Sequence, residues 1–176
     1  LATIVAERLP SLAGSVLIGG LGMGFTLGAT LEAWDAEARI CVAELVPEVL
    51  EWANGPLAHI FGGKLSDPRV TVLLADVHDV IGKAGTRYDA ILLDVDNGPD
   101  WFVQKANQRL YDKKGLNAAR MALNDGGILA VWSAYPDADF VARLRDAGFA
   151  VEEVQVPAFE GARTEKHHIW LASAEG

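Results

Sequence analysis

The sequence predicts a doubly wound α/β fold: a mostly parallel seven-stranded sheet with a final antiparallel strand and helices on both faces. Three observations carry this. Short apolar runs alternate with stretches of helical spacing along the chain, an order that implies right-handed crossovers and hence parallel strands. The last two apolar runs follow each other with no helical pattern between them, which adds one strand running the other way. The hydrophobic fraction is 51%, as suits a sheet covered on both faces.

The elements follow in order. "LATIVAERL" (1–9) reads as an amphipathic helix, and "SVLIGG" (15–20) as a buried strand running into a glycine loop. "FTLGATLEAW" (25–34) has helical spacing, and "ARICVAEL" (38–45) is the second strand. Pro47 fits the first turn of the helix "PEVLEWA", where its missing N–H costs nothing. "RVTVLLAD" (69–76) is a third strand, rich in β-branched residues, and "HDVIG" a short helical piece. "YDAILLD" (88–94) is the fourth strand, and residues 95–114 read as a long polar connection. "GLNAARMAL" (115–123) is a helix, and "NDGG" turns the chain into "GILAVWSA" (127–134), the fifth strand. "PDADFVARLRDAG" is a helix ended by Gly148. "FAVEEVQVP" and "HHIWLAS" are the last two strands, an antiparallel hairpin around a loop carrying Gly161.

The 176 residues suit one domain spanning 1–176. The chain opens on Leu1, already inside a helical pattern, so residues upstream are expected to be missing. Acids outnumber bases 24 to 15, a net charge of −9 without a Lys/Arg cluster, which argues against a nucleic-acid partner. The one cysteine, Cys41, sits in an apolar run. A disulfide framework is therefore excluded, and a reducing, cytoplasmic compartment is expected. No apolar run approaches about 18 residues, so no membrane span is expected. Trp34, Trp52, Trp132 and Trp170 lie in regular elements and are expected in the core. His167 and His168 point to opposite faces of the last strand and read as structural, and no metal-ligand spacing accompanies them.

The loop "LIGGLGMGF" sits where doubly wound folds bind nucleotides. Its glycines miss the i, i+2, i+5 dinucleotide spacing in both frames, since Phe25 or Leu27 falls on the third position. A Gly-Lys-Ser/Thr phosphate loop is absent too. Gly19, Gly20, Gly22 and Gly24 leave bare backbone, either for a ligand or for a tight strand-to-helix turn. Glu44 ends the second strand, 22 residues after Gly22, a spacing at which an acid accepts hydrogen bonds from ribose hydroxyls. Asp76 and Asp94 end the next two strands. Four consecutive strands thus bring a glycine loop and three acids to the edge where open α/β sheets bind ligands.

These residues resemble the spermidine synthase (polyamine aminopropyltransferase) family within the Rossmann-like, class I S-adenosylmethionine-dependent methyltransferase fold. The matching pieces are "VLIGGLGMG", "CVAELVPEVLEWA", "DPRVTVLLADVHDVI" and "YDAILLDVDNGP", over roughly residues 10 to 135. The resemblance implies S-adenosylmethionine or its decarboxylated form as cofactor, no metal, a small-molecule amine as acceptor and a role in polyamine biosynthesis; it leaves a homodimer open. It also implies that Glu44 holds the ribose, that Asp76 and Val77 read the adenine, and that Asp94 deprotonates the attacking amine. The sequence departs from the family pattern at two places. Gly22 stands where an acid is usual, and Asp94-Val95-Asp96-Asn97 replaces Asp-x-x-Asp-Pro. The family's small N-terminal β-domain has no counterpart here.

An alkylammonium, with a pKa of about 10.4, has no free lone pair at neutral pH and must lose a proton before it attacks. A carboxylate in reach can take that proton, which assigns Asp94 as base. A second carboxylate can hold the far ammonium of a diamine, which makes Asp96 the amine-binding candidate and Asp100 a more distant one. The alternative is that "DNGPD" is only a turn whose side chains cap backbone N–H groups. Trp101, Phe102 and Tyr111 either form a lid or pack the following loop down. Three functions stay open: aminopropyl transfer, methyl transfer to a small molecule, and a non-catalytic nucleotide-binding module. The sequence has no Asn/Asp-Pro-Pro-aromatic motif after the fourth strand, which leans away from methylation of nucleic-acid bases or protein amides.

Overall fold

The computed structural model describes residues 1–83, 85–95, 99, 107–158 and 165–174. Among them, seven strands form one sheet: β1 (Ser15–Gly19), β2 (Arg39–Glu44), β3 (Val70–Leu74), β4 (Tyr88–Leu93), β5 (Leu123–Ser133), β6 (Phe149–Pro157) and β7 (Lys166–Ala174). Their order is β3-β2-β1-β4-β5-β7-β6. All neighbours are parallel except β7, which runs antiparallel to both β5 and β6. The order of travel reverses between β1 and β4, and the crevice at that switch point is where such sheets take ligands.

Period-2 alternation builds the two cores. Leu17, Ile91, Leu93, Leu129, Val131 and Trp170 face one side, and Val16, Ile18, Ile40, Val42, Leu92 and Ile169 face the other. The first side is covered by α5 (Val77–Ile81), α6 (Gln108–Tyr111), α7 (Lys113–Ala122) and α8 (Ala138–Asp146). The second is covered by α1 (Ala2–Ala6), α2 (Phe25–Ala33), α3 (Pro47–Asn54) and α4 (Ala58–Phe61). Because both faces are buried, the central strands read as continuous apolar runs. The first core centres on Phe140, fully buried, with the Tyr111 ring edge-on at 5.6 Å and the Trp170 ring at 5.1 Å. Asp137 caps α8 by accepting from the Phe140 N–H at 2.7 Å, and Gly148 follows the helix at φ +84°.

Four expectations are corrected. The connection after β4 is partly helical: α6 and the start of α7 lie within 107–114. Asp112 caps α7 by accepting from the Lys114 and Gly115 N–H groups, a short-range signal that the polar composition hid. "NDGG" is absorbed into β5, which starts at Leu123. Its register to β4 shifts between the Tyr88↔Leu123 and Ala90↔Ile128 pairs, so the extra residues bulge out while pairing resumes beyond them. β3 stops at Leu74, and Asp76 is the N-cap of α5 rather than the end of the strand. Trp52 is 51% exposed. Ala53 is the buried residue of α3, with Val49 and Leu50 packed against the same core, and Trp52 lies about 100° around the helix from Ala53, facing out. Trp34 and Trp170 are buried, while Trp132 is half-buried with the His167 ring edge-on at 4.7 Å.

Candidate active site

The β1–α2 loop turns through three left-handed glycines, Gly20 at φ +83°, Gly22 at +49° and Gly24 at +74°. Close approach explains two of them. A Cβ on Gly20 would meet the Asp94 carbonyl oxygen at 3.2 Å, and one on Gly24 would strike the Phe61 ring at 2.7 Å. Gly22 has nothing within 4 Å of that position, so its backbone borders open space. Gly19 lies tight against Leu93 and Val77, which draws the ends of β1 and β4 and the start of α5 together.

Glu44, the last residue of β2, is 6% exposed. One carboxylate oxygen accepts from the Leu21 N–H and the other from the Val46 N–H, both at 2.8 Å. The acid thus ties the glycine loop to the entry of α3. A carboxylate has about four lone-pair sites, so two remain for a ligand. Asp76 caps α5 by accepting from the His78 N–H at 2.8 Å, and its other oxygen accepts from Arg109 on α6. Arg109 also lies 3.6 Å from Asp79. The bond to Asp76 raises the Arg109 guanidinium above its ordinary value; the His78 hydrogen bond, and then the Arg109 charge, hold the Asp79 carboxyl below its own. Asp94 directly follows β4, its side chain exposed, and accepts from the Thr26 hydroxyl at 2.9 Å.

Gly20, Gly22, Glu44, Asp76, Val77 and Asp94 line one cavity of about 240 Å³, with Val46, Val49 and Asn107 among the other walls. That is just below the usual range of small-molecule pockets, about 300–1,000 Å³. Its described lining holds three acids and no basic side chain. Seven of the nine predicted site residues are therefore brought together: six line the cavity, and Gly19 packs directly behind it. Gly24 belongs to the same loop but turns against Phe61. Asp96, and with it Asp100, Trp101 and Phe102, lies outside the described residues. Tyr111 is 3% exposed and packs into the core, so it anchors the connection rather than covering the cavity. Thr26 and Arg109 were not foreseen, because nothing in "GFTLG" or "NQRLY" signals which distant acid each side chain meets.

His168 is 7% exposed and bonds Glu153 through Nδ1 at 2.7 Å, the structural role its position predicted. Among the described residues no group of three or more His, Cys, Asp or Glu side chains could hold a metal ion. No described helix is long and apolar enough to cross a membrane.

No family model matches the chain. Polyamine aminopropyltransferase of Corynebacterium efficiens is 37% identical over 148 residues, covering 81% of this chain and 27% of that protein. The same enzyme of Mycobacterium tuberculosis is 32% identical over 156 residues, covering 82% and 29%. The chain is a homologue of the polyamine aminopropyltransferases. It spans less than a third of the length of these two relatives. Among solved structures, spermidine synthase from Thermotoga maritima superposes on this aminopropyltransferase homologue with a TM-score of 0.77 at 20% identity, over 99% of this chain and 57% of that one. Human methyltransferase-like protein 13 in complex with SAH gives 0.74 at 22% identity, over 97% and 79%. A spermidine synthase in complex with the transition state analogue AdoDATO gives 0.71 at 20%, over 98% and 56%. These likenesses establish the class I methyltransferase fold for the homologue, and the seven-stranded, mostly parallel sheet with its final antiparallel strand is as predicted.

Proposed function

We propose that this chain carries the donor site and the catalytic base of an aminopropyl-transferring enzyme. The observation that supports it is the single cavity at the switch point, where bare glycine backbone meets Glu44, Asp76 and Asp94. This lining suits an S-adenosyl compound. Glu44 keeps lone pairs for ribose hydroxyls, Val77 offers an apolar wall to the adenine, and the Glu44 and Asp94 carboxylates favour a sulfonium. The AdoDATO-bound spermidine synthase and the SAH-bound methyltransferase-like protein 13 support the same ligand class. The donor supplies an electrophilic carbon next to a positively charged sulfur.

The residues of this chain do the rest. Asp94 accepts the proton that the acceptor ammonium gives up as its nitrogen attacks. Thr26 holds one Asp94 oxygen, which fixes the carboxylate plane and leaves the other oxygen for the amine. Asp96 follows two residues later and holds the distant ammonium of a diamine. Arg109 neutralises part of the Asp76 charge and joins α6 to the adenine end.

Methyl transfer to a small molecule is the second reading, favoured by Gly22. The decarboxylated donor lacks the carboxylate of S-adenosylmethionine, and an acid at position 22 would select against that carboxylate; a glycine there does not. Calorimetric titration with S-adenosylmethionine, its decarboxylated form and NAD tests both readings. Tighter binding of the decarboxylated form, with turnover on an amine, is the expected result. Preference for S-adenosylmethionine favours methyl transfer, and NAD binding of equal strength overturns the donor assignment.

A further inference from the structure

The opposite end of the sheet carries a cavity of reversed charge. It has a volume of about 480 Å³ and lies at the amino ends of β1 to β4. Arg39, Arg69 and Arg87 line it together with the hydroxyl residues Ser15, Thr71 and Thr86, and none of its described lining residues is acidic.

The three arginines differ in what already engages them. Arg69 is committed: Nε and Nη2 donate to the two Asp67 oxygens at 3.0 Å, and Nη1 donates to the Trp34 and Asp35 carbonyls at 3.0 and 3.2 Å. Arg39 directs Nε and Nη2 to the Ser15 hydroxyl at 3.1 and 2.9 Å, a neutral partner that leaves the charge uncompensated. Arg87 donates from Nη1 to the Thr86 carbonyl at 3.4 Å. Among the described residues, neither Arg39 nor Arg87 has a carboxylate within ion-pair distance. Arg39 opens β2, and Arg87 immediately precedes β4, with β1 between them. Two strand spacings and a stagger of two residues along the strands separate their backbones by roughly 12 Å, a span that two long arginine side chains can close on one ligand. Guanidinium forks with hydroxyl donors around them are the chemistry of phosphoryl recognition.

We propose that this cavity binds an organic phosphate, its phosphoryl oxygens held by Arg39 and Arg87 and by the Ser15, Thr71 and Thr86 hydroxyls. The site is separate from the switch-point cavity and does not depend on the function proposed for it.

Calorimetric titration of the chain with inorganic pyrophosphate and with inorganic phosphate, at constant ionic strength with sodium chloride as the blank, tests it. One saturable site is expected, tighter for pyrophosphate. Arg39→Gln and Arg87→Gln should each weaken it about tenfold, the loss of a charge-assisted contact. Arg39→Lys should weaken it less, since the charge stays and only the fork is lost. Arg145→Gln on α8 should leave it unchanged. Both target arginines are exposed, so the variants should fold, which circular dichroism checks. S-adenosylmethionine affinity in the Arg39→Gln, Arg87→Gln double variant should match that of the unaltered chain. The proposal is overturned by any of four results: no saturable pyrophosphate binding, binding retained by the double variant, equal weakening in Arg145→Gln, or parallel loss of S-adenosylmethionine binding.

Discussion

The Thr26 hydroxyl donates to the Asp94 carboxylate across 2.9 Å, linking the first turn of α2 to the end of β4. The residues are 68 apart in sequence, and the bond aims the carboxylate proposed as the base. Asp94→Asn should keep the fold, because Asn tolerates the same turn geometry. It should lower amine transfer by about 10²–10⁴, mostly in kcat, since the proton moves in the transition state. Thr26→Val should lower kcat by a smaller factor with little change in KM. Near-full activity of Asp94→Asn would place the base elsewhere.

Asp96→Asn should act on binding. With a diamine acceptor, KM should rise more than kcat falls, and a monoamine acceptor should be nearly indifferent, having no second ammonium to hold. Steady-state constants for the two acceptors decide this. Equal effects on both would remove Asp96 from the amine site.

Glu44→Gln should cost twice over. Gln has one acceptor oxygen for the Leu21 and Val46 N–H groups, so its NH₂ must face one of the two donors. In a buried position this should destabilise the chain by about 1–3 kcal/mol, read by urea unfolding. Donor affinity should fall roughly tenfold or more as well. Lost stability with an unchanged dissociation constant would make Glu44 a loop clamp only.

Gly22→Ala and Gly24→Ala separate backbone strain from collision. Both positions are left-handed, so each should lose roughly 1–2 kcal/mol from conformation alone. Gly24→Ala must also displace the Phe61 ring, whereas Gly22→Ala meets open space. Overpacking of that kind costs a further ~1–3 kcal/mol. Denaturation midpoints that rank the two variants the other way would refute this account of the loop.

The Glu153 carboxyl is held below its usual range, chiefly by the side-chain hydrogen bond from His168. A depressed acid contributes stability that is fully present above its unfolded pKa, about 4.3, and is lost as pH falls through the lower folded value. Stability should therefore fall on acidification below that point, and Glu153→Gln should make this acid limb shallower. The side chain is 38% exposed, so solvent screening keeps the effect small. Unfolding curves between pH 5 and pH 3 that coincide for the two proteins, after an offset, would count against the pair.

What the sequence determined by itself is local. Period-2 apolar runs gave the strands, Gly and Asp punctuation gave the turns, and their order along the chain gave a parallel sheet with one reversed strand. Because the sheet is parallel, acids at the carboxyl ends of its strands fall on one edge, and so the sequence alone groups Glu44, Asp76 and Asp94. What the tertiary structure decided is pairing across distance. Thr26 meets Asp94, Arg109 meets Asp76, and Glu44 spends two lone pairs on backbone N–H groups. The placement of Trp52 outside the core, and of Arg39 and Arg87 around one cavity, was decided at the same level. The reason is physical. Periodicity and turn chemistry act over a few residues, whereas these contacts depend on strand order and helix placement, which are set by how both faces of the sheet bury their apolar area together.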